Sequence, residues 1–160
     1  NNQLLPSLLL STANKDLKAM VSKHSNPSEA IEIIPDKLYW ISDKNPPRNQ
    51  VNSFFFCVDN DLVYEPFFAD FGPLDLGKTY RFVTELEKLL KDPTFLKYKI
   101  YHYCSLDSGK RANAATLIGA FQILVLKRSA EEAWQPFRNI KPAFVDYRDA
   151  SYGGCSYKMT

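Results

Sequence analysis

The chain is poor in the residues that build metal centres and disulfide frameworks. Only three of its 160 residues are cysteine (Cys57, Cys104, Cys155) and two are histidine (His24, His102). An odd number of cysteines with no Cys-x-x-Cys pair argues against a disulfide framework and for a reducing, intracellular setting. The histidines stand far apart, so no metal or other cofactor site is legible. Charge of one sign is scarce too. A net charge of +2, with lysine and arginine scattered, gives no basis for binding nucleic acid or an anionic membrane surface. No run is long and apolar enough to span a bilayer. Leu4–Leu10 is broken by Pro6 and follows no basic residue, which a signal peptide would need. Without an initial methionine, the chain reads as a piece of a longer protein.

What is present suits one domain with a real core: 45% hydrophobic and 24% charged residues. Residues 1–28 read as a polar arm ending in a His-Ser-Asn-Pro-Ser loop, with a short helix around Lys15–Lys23. The domain proper is expected over 29–160. Ala30–Ile34 and Leu38–Ile41 flank Pro35-Asp36-Lys37 and predict a hairpin. Val51–Val58, containing Phe54-Phe55-Phe56, predicts a buried strand, and Leu62–Phe68 a further strand or extended segment. Asp75 is positioned to cap a helix running to about Lys91. Tyr80, Val83, Leu86, Leu89 and Leu90 would share its apolar face, and Asp92-Pro93 would stop it. Lys99–Cys104 reads as a strand and Ala112–Lys127 as the most apolar helix. Ser129-Ala130-Glu131-Glu132 has capping-box spacing and opens another helix, which Pro136 would break. From Pro142 onward the chain reads as an aromatic-rich loop. Strands alternating with helices predict an α/β layer architecture.

The chemistry concentrates in Tyr101–Arg111. A strand runs into Ser105-Leu106-Asp107-Ser108-Gly109-Lys110-Arg111, followed at once by an apolar helix. That layout offers free backbone N–H groups and a helix dipole to an anion. A cysteine phosphatase of this design needs a thiolate six positions before the arginine, an arginine fork for the phosphoryl oxygens, and a carboxylic acid for the leaving oxygen. Arg111 suits the second role. Asp70, before the preceding helix, is placed for the third, although a turn-forming role explains it equally well. The nucleophile's position holds Ser105, an alcohol with no evident base. Cys104 lies one residue too early and reads as a packed strand cysteine, and His102 as a strand histidine. A helix-start arginine in a surface ion pair is an equal reading of Arg111. Gly109 and Lys110 suggest a nucleotide-binding loop only weakly, because its leading glycine is missing and arginine replaces the Ser/Thr after lysine.

Three stretches, taken in order, carry a resemblance: Tyr64-Glu65-Pro66-Phe67-Phe68-Ala69-Asp70-Phe71-Gly72-Pro73-Leu74, Lys110-Arg111-Ala112-Asn113-Ala114-Ala115 with Leu117-Ile118-Gly119-Ala120, and Tyr147-Arg148-Asp149-Ala150-Ser151-Tyr152. From about Ile31 to Thr160 the chain resembles the N-terminal domain of the cell-division-cycle-fourteen dual-specificity phosphatases, the mitotic-exit phosphatases. The resemblance implies a dual-specificity-phosphatase-like α/β fold, a central sheet flanked by helices, whose phosphate loop (Ser105, Asp107, Gly109, Lys110, Arg111) is degenerate. It implies a non-catalytic half, with Asp70 a vestigial acid. The partner would be a C-terminal domain of the same chain carrying the working His-Cys-x5-Arg loop. It further implies phosphoprotein substrates with a basic residue after phosphoserine-proline, and a nuclear, nucleolar and cytoplasmic location. An acidic groove would read the basic residue, with Glu131, Glu132 and Asp149 as its candidate carboxylates. The alternative is a pseudophosphatase module that binds phosphopeptide or another protein. A third possibility is an active enzyme using Cys104.

Overall fold

The computed structural model describes residues 30–45, 47 and 50–159. The arm predicted over residues 1–28 and the helix expected around Lys15–Lys23 lie outside the described residues.

The hairpin forms as its residues dictate. β1 (Ile31–Ile34) and β2 (Leu38–Ser42) pair antiparallel. Asp36 takes a left-handed φ of 55° in the turn, a conformation that aspartate tolerates better than most residues. β3 (Ser53–Phe56) is shorter than the apolar run suggests. Val51 lies outside the strand and is 92% exposed, so the Phe triplet alone carries this strand into the sheet.

α1 (Leu76–Lys91) starts on Asp75, whose carboxylate accepts the Lys78 N–H, and ends at Asp92-Pro93. Phe82, Val83, Leu86 and Leu89 are its buried apolar residues, with Glu85 buried beside them, while Tyr80 stands 70% exposed and does not join them. The apolar stripe is therefore centred one residue further round the helix than the sequence pattern predicts. β4 (Lys99–Cys104) follows a 3-10 turn at Pro93–Phe95 and runs parallel to both β2 and β3. The four-stranded sheet has the order β1-β2-β4-β3.

α2 spans Ser108–Leu124, four residues earlier at its start than the apolar pattern predicts. The reason is local: the Asp107 carboxylate accepts the Lys110 N–H and caps the helix. α3 (Ala130–Trp134) opens with a complete capping box between Ser129 and Glu132, and passes into a 3-10 turn at Gln135–Phe137 containing Pro136. Leu62–Phe68 forms no strand. The tail is not all loop, because β5 (Tyr147–Arg148) and β6 (Ser156–Tyr157) make a small antiparallel pair.

The main core joins Leu38, Trp40, Ile100 and Cys104 of the sheet to Phe82 and Leu86 of α1 and Ile118 and Phe121 of α2. It is a mixed α/β sheet flanked by helices. The C-terminal ends of β2, β4 and β3 thus meet the start of α2, which is where open α/β sheets form their ligand crevices.

Candidate functional site

The loop between β4 and α2 is only Ser105-Leu106-Asp107. Because α2 begins at Ser108, most of the stretch from Ser105 to Arg111 is helix, and the backbone does not circle an anion. Two carboxylates occupy the backbone donors that a phosphate would use. Asp59, which is buried, accepts the Ser105 N–H at 2.8 Å, and Asp107 accepts the Lys110 N–H at 2.9 Å. The Lys110 ammonium turns to the Asn60 side-chain oxygen, 3.0 Å away.

Arg111 departs furthest from its expected place. It lies in the first turn of α2 and is buried, 3% exposed. Its Nε donates to Ser42 Oγ at 3.2 Å and its Nη1 reaches the Ala143 carbonyl at 3.5 Å. The guanidinium carbon lies 4.6 Å from the Phe144 ring centre and 5.9 Å from that of Trp40. Cation–π stacking and two polar contacts replace a carboxylate or phosphate partner. Among the described residues it makes no ion pair, and burial lowers its pKa. Nη2 of Arg111 and Oγ of Ser105 are both buried, and among the described residues neither has a hydrogen-bond partner.

Cys104 is fully buried, its Sγ 3.7 Å from the Ile41 carbonyl. Burial, then the Asp59 and Cys57 charges, push its thiol pKa well up, which is the opposite of an activated nucleophile. His102 is also fully buried. It stacks on Phe56 at 5.1 Å and lies 4.8 Å from Phe82, and neither ring nitrogen is bonded. Desolvation holds it neutral, with a pKa of about 3. Neither residue is placed to serve as a base or a nucleophile.

The Asp70 loop does reach the Ser105–Arg111 region. Phe71 and Arg148 exchange both backbone hydrogen bonds, at 2.9 and 2.7 Å, which clips the loop to β5. The Phe71 ring presses on Gly109, where a Cβ would come within 3.1 Å of it. Asp70, Asp107, Gly109 and Lys110 line one cavity of about 310 Å³, with Asp59 and Asn113. Asp70 accepts the Tyr64 hydroxyl and the Phe68 N–H, and these hold its pKa below the usual carboxylate value. A carboxylate kept ionised in this way is a poor proton donor to a leaving group.

Arg111 does not line that cavity, and neither do Glu131, Glu132 or Asp149. Glu132 is used by the capping box, which lowers its pKa. Glu131 is exposed and lies 3.7 Å from Arg138. Asp149 accepts from Ser151, Cys155 and Tyr157 and so closes the turn between β5 and β6. Among the described residues, no group of three or more His, Cys, Asp or Glu side chains could hold a metal ion. No helix there is long and apolar enough to cross a membrane.

Sequence reasoning did not find Asp59 or Ser42, and it reads Phe144 only as an aromatic of the tail. Asp59-Asn60-Asp61 looks like an ordinary turn, and nothing local tells that its first carboxylate meets Ser105. Tyr147 was legible only as an aromatic in the tail. Its hydroxyl lies 2.7 Å from Thr116 Oγ1 and donates to Asn113 Oδ1 at 3.1 Å, tying the tail to α2.

Residues 32–160 match the family model described as the N-terminal half of dual specificity protein phosphatases. The chain is 44% identical over 132 residues to dual specificity protein phosphatase CDC14A of Mus musculus, covering 82% of this chain and 22% of that protein. It is 36% identical over 136 residues to the tyrosine-protein phosphatase CDC14 homolog of Schizosaccharomyces pombe, covering 82% and 25%. With tyrosine-protein phosphatase CDC14 of Saccharomyces cerevisiae it shares 30% over 130 residues, covering 81% and 24%. The chain therefore spans about a quarter or less of the length of these relatives. The loop, the Asp70 segment clipped against it and the β5 strand that clips it all fall within the matched region. This chain belongs to the family of dual-specificity protein phosphatase N-terminal halves and is similar throughout the match to the CDC14 phosphatases.

Proposed function

We propose that this chain is the non-catalytic half of a dual-specificity protein phosphatase. In this reading it supports a cysteine-dependent catalytic domain of the same polypeptide and helps select its substrates. One observation carries the reading: the arginine of the degenerate loop is turned under Phe144, while the nucleophile's position holds Ser105, whose buried hydroxyl has no partner among the described residues. An alcohol without a base and an arginine without access to phosphate leave neither attack on phosphorus nor oxyanion stabilisation to this half. The phosphopeptide-binding alternative is opposed by Asp59 and Asp107, which take up the backbone donors and add negative charge at that place.

The substrates proposed for the whole protein are phosphoserine/threonine-proline and phosphotyrosine proteins of the cell cycle, inside the cell. A basic residue following the phosphoserine-proline pair would be read by an acidic groove. Of the three candidate carboxylates, Glu131 is the one assigned to that groove, since Glu132 and Asp149 are engaged in local turns and caps.

The test compares this chain with a polypeptide in which the proposed catalytic domain is joined to it. The expected result is no turnover of an aryl phosphate by this chain and turnover by the longer one. Glu131→Lys in the longer chain should lower the preference for peptides with a basic residue after the proline. Turnover by this chain that is abolished by Ser105→Ala would overturn the non-catalytic assignment. Unchanged peptide preference would remove Glu131 from the groove.

A further inference from the structure

The cavity of about 310 Å³ between the Asp70 segment and the first turns of α2 has no task in the proposed phosphatase role. Its volume falls at the lower end of the range for small-ligand sites. One wall is α2, where Gly109, Asn113 and Leu117 stand four residues apart and so share a helix face. The floor is apolar, with Leu62, Leu74 and Leu117 buried in it. Tyr64 and Phe71 close one side, their rings edge to face at 5.7 Å. Charge in the lining is mainly negative. Asp59, Asp70 and Asp107 stand against Lys110 alone, and the Lys110 ammonium is turned to Asn60, which does not line the cavity. Asp107 uses Oδ1 for the helix cap, while its Oδ2 accepts no hydrogen bond among the described residues. Asn113 is an independent pointer to a ligand. It is only 7% exposed, and its Oδ1 accepts the Tyr147 hydroxyl at 3.1 Å, which leaves Nδ2 as a donor. Nδ2 has no hydrogen-bond partner among the described residues, yet it is not sealed in protein: the little surface that Asn113 keeps opens on the cavity it lines. Donors so deep in a fold are ordinarily paired, so this one calls for an acceptor inside the cavity.

We propose that this cavity binds the first residue of a peptide, with its α-ammonium among the three carboxylates, its carbonyl on Asn113 Nδ2 and an apolar side chain on the leucine floor. Each part of the ligand answers a feature of the lining. The ammonium gains charge-assisted hydrogen bonds from the aspartates, and the Tyr64 and Phe71 rings add cation–π attraction. The adjacent carbonyl supplies the acceptor that Nδ2 lacks, which a lone ammonium at the end of an alkyl chain would not. An apolar side chain displaces water from the floor. Other chemistries fit less well. An anion would meet three carboxylates, and a wholly apolar body would strip water from them and from Nδ2 without pairing either. The site is distinct from the groove assigned to Glu131, which does not line this cavity.

The test titrates the unaltered chain with L-phenylalaninamide at about pH 6.5, where an ordinary α-amine is protonated. Calorimetry should show saturable binding below about 10 mM, and the Asn113 side-chain NH₂ resonances should shift in ¹H–¹⁵N spectra. N-acetyl-phenylalaninamide has the same body without the charge and should bind about tenfold or more weakly. The anion 3-phenylpropionate should not bind. A tripeptide amide with phenylalanine first should bind as well as the single-residue amide. Asp107→Asn keeps the helix cap, because asparagine caps as well as aspartate, and should weaken binding about fivefold. Absence of saturable binding, equal binding of the acetylated probe, an unmoved Asn113 resonance or unchanged affinity in Asp107→Asn would each overturn the proposal. Failure of the tripeptide where the amide binds would overturn it too, by assigning the cavity to a free amine.

Discussion

At the scale of single residues, the loop shows how much chemistry depends on where one side chain points. Ser105 and Arg111 keep the separation of nucleophile and arginine in a cysteine phosphatase. Yet α2 begins at Ser108, and Arg111 is carried by helical geometry onto Phe144 and Trp40. Restoring the nucleophile should therefore fail to restore catalysis. In Ser105→Cys the new thiol would sit beside the Asp59 carboxylate, which already holds the residue-105 N–H. That negative charge opposes the thiolate, so its pKa is expected at or above the free-thiol value of about 8.5. The expected outcome is no turnover of an aryl phosphate and an alkylation rate at position 105 that keeps rising through pH 8. Measurable turnover, or a thiolate already formed at pH 6, would show that the loop rearranges into a working cradle. The offset of Cys104 from the arginine spacing was readable from the sequence, as was its fate as a packed strand residue. The burial of Arg111 was not, because it depends on Ser42 and Phe144, which are distant in the chain and carry no local signal.

At the scale of elements, local chemistry decided most boundaries. Asp75 and Ser129 were legible as caps because a short polar acceptor stands directly before a periodic apolar run. Asp107 bears the same signature inside the loop, and α2 starts directly after it. Leu62–Phe68 misled in the other direction. Its residues are β-prone, but they pair with neither edge strand of the sheet, β1 or β3, and Phe67 and Phe68 stand 91% and 78% exposed. The five-residue α3 tests how far a cap can carry an element, since so short a helix scarcely nucleates alone. Ser129→Ala removes the acceptor for the Glu132 N–H at 3.1 Å and should lower stability by about 1 kcal/mol, read from the urea midpoint. A loss below about 0.3 kcal/mol would mean that the buried Ala133 and Phe137 hold α3 without its cap.

At the scale of the whole molecule, the acid response should divide into two parts with different owners. His102 is buried neutral, its folded pKa held near 3 by desolvation against an ordinary value of 6.5. Between those values the unfolded chain binds a proton at this residue and the folded chain does not. Stability is therefore complete above pH 6.5 and falls as pH drops, by up to about 1.4 kcal/mol per pH unit. The carboxylates act lower down. Hydrogen bonds depress the pKa values of Asp70, Asp75, Glu132 and Asp149 in the folded state, so their contribution is present above their ordinary values near 4 and fades as pH falls through the folded ones. Replacing His102 with Phe should remove the upper part alone, because a phenyl ring can keep the contacts with Phe56 and Phe82 and has no nitrogen to protonate. Unfolding free energies from urea titrations at pH 7 and pH 5 should differ by about 2 kcal/mol in the parent chain and by much less in His102→Phe. At pH 7 the variant should be at least as stable as the parent, since two buried nitrogens without partners disappear. Equal losses in the two chains would mean that His102 is not what links the centre of the sheet to acid. The early part of the transition would then belong to groups elsewhere in the molecule.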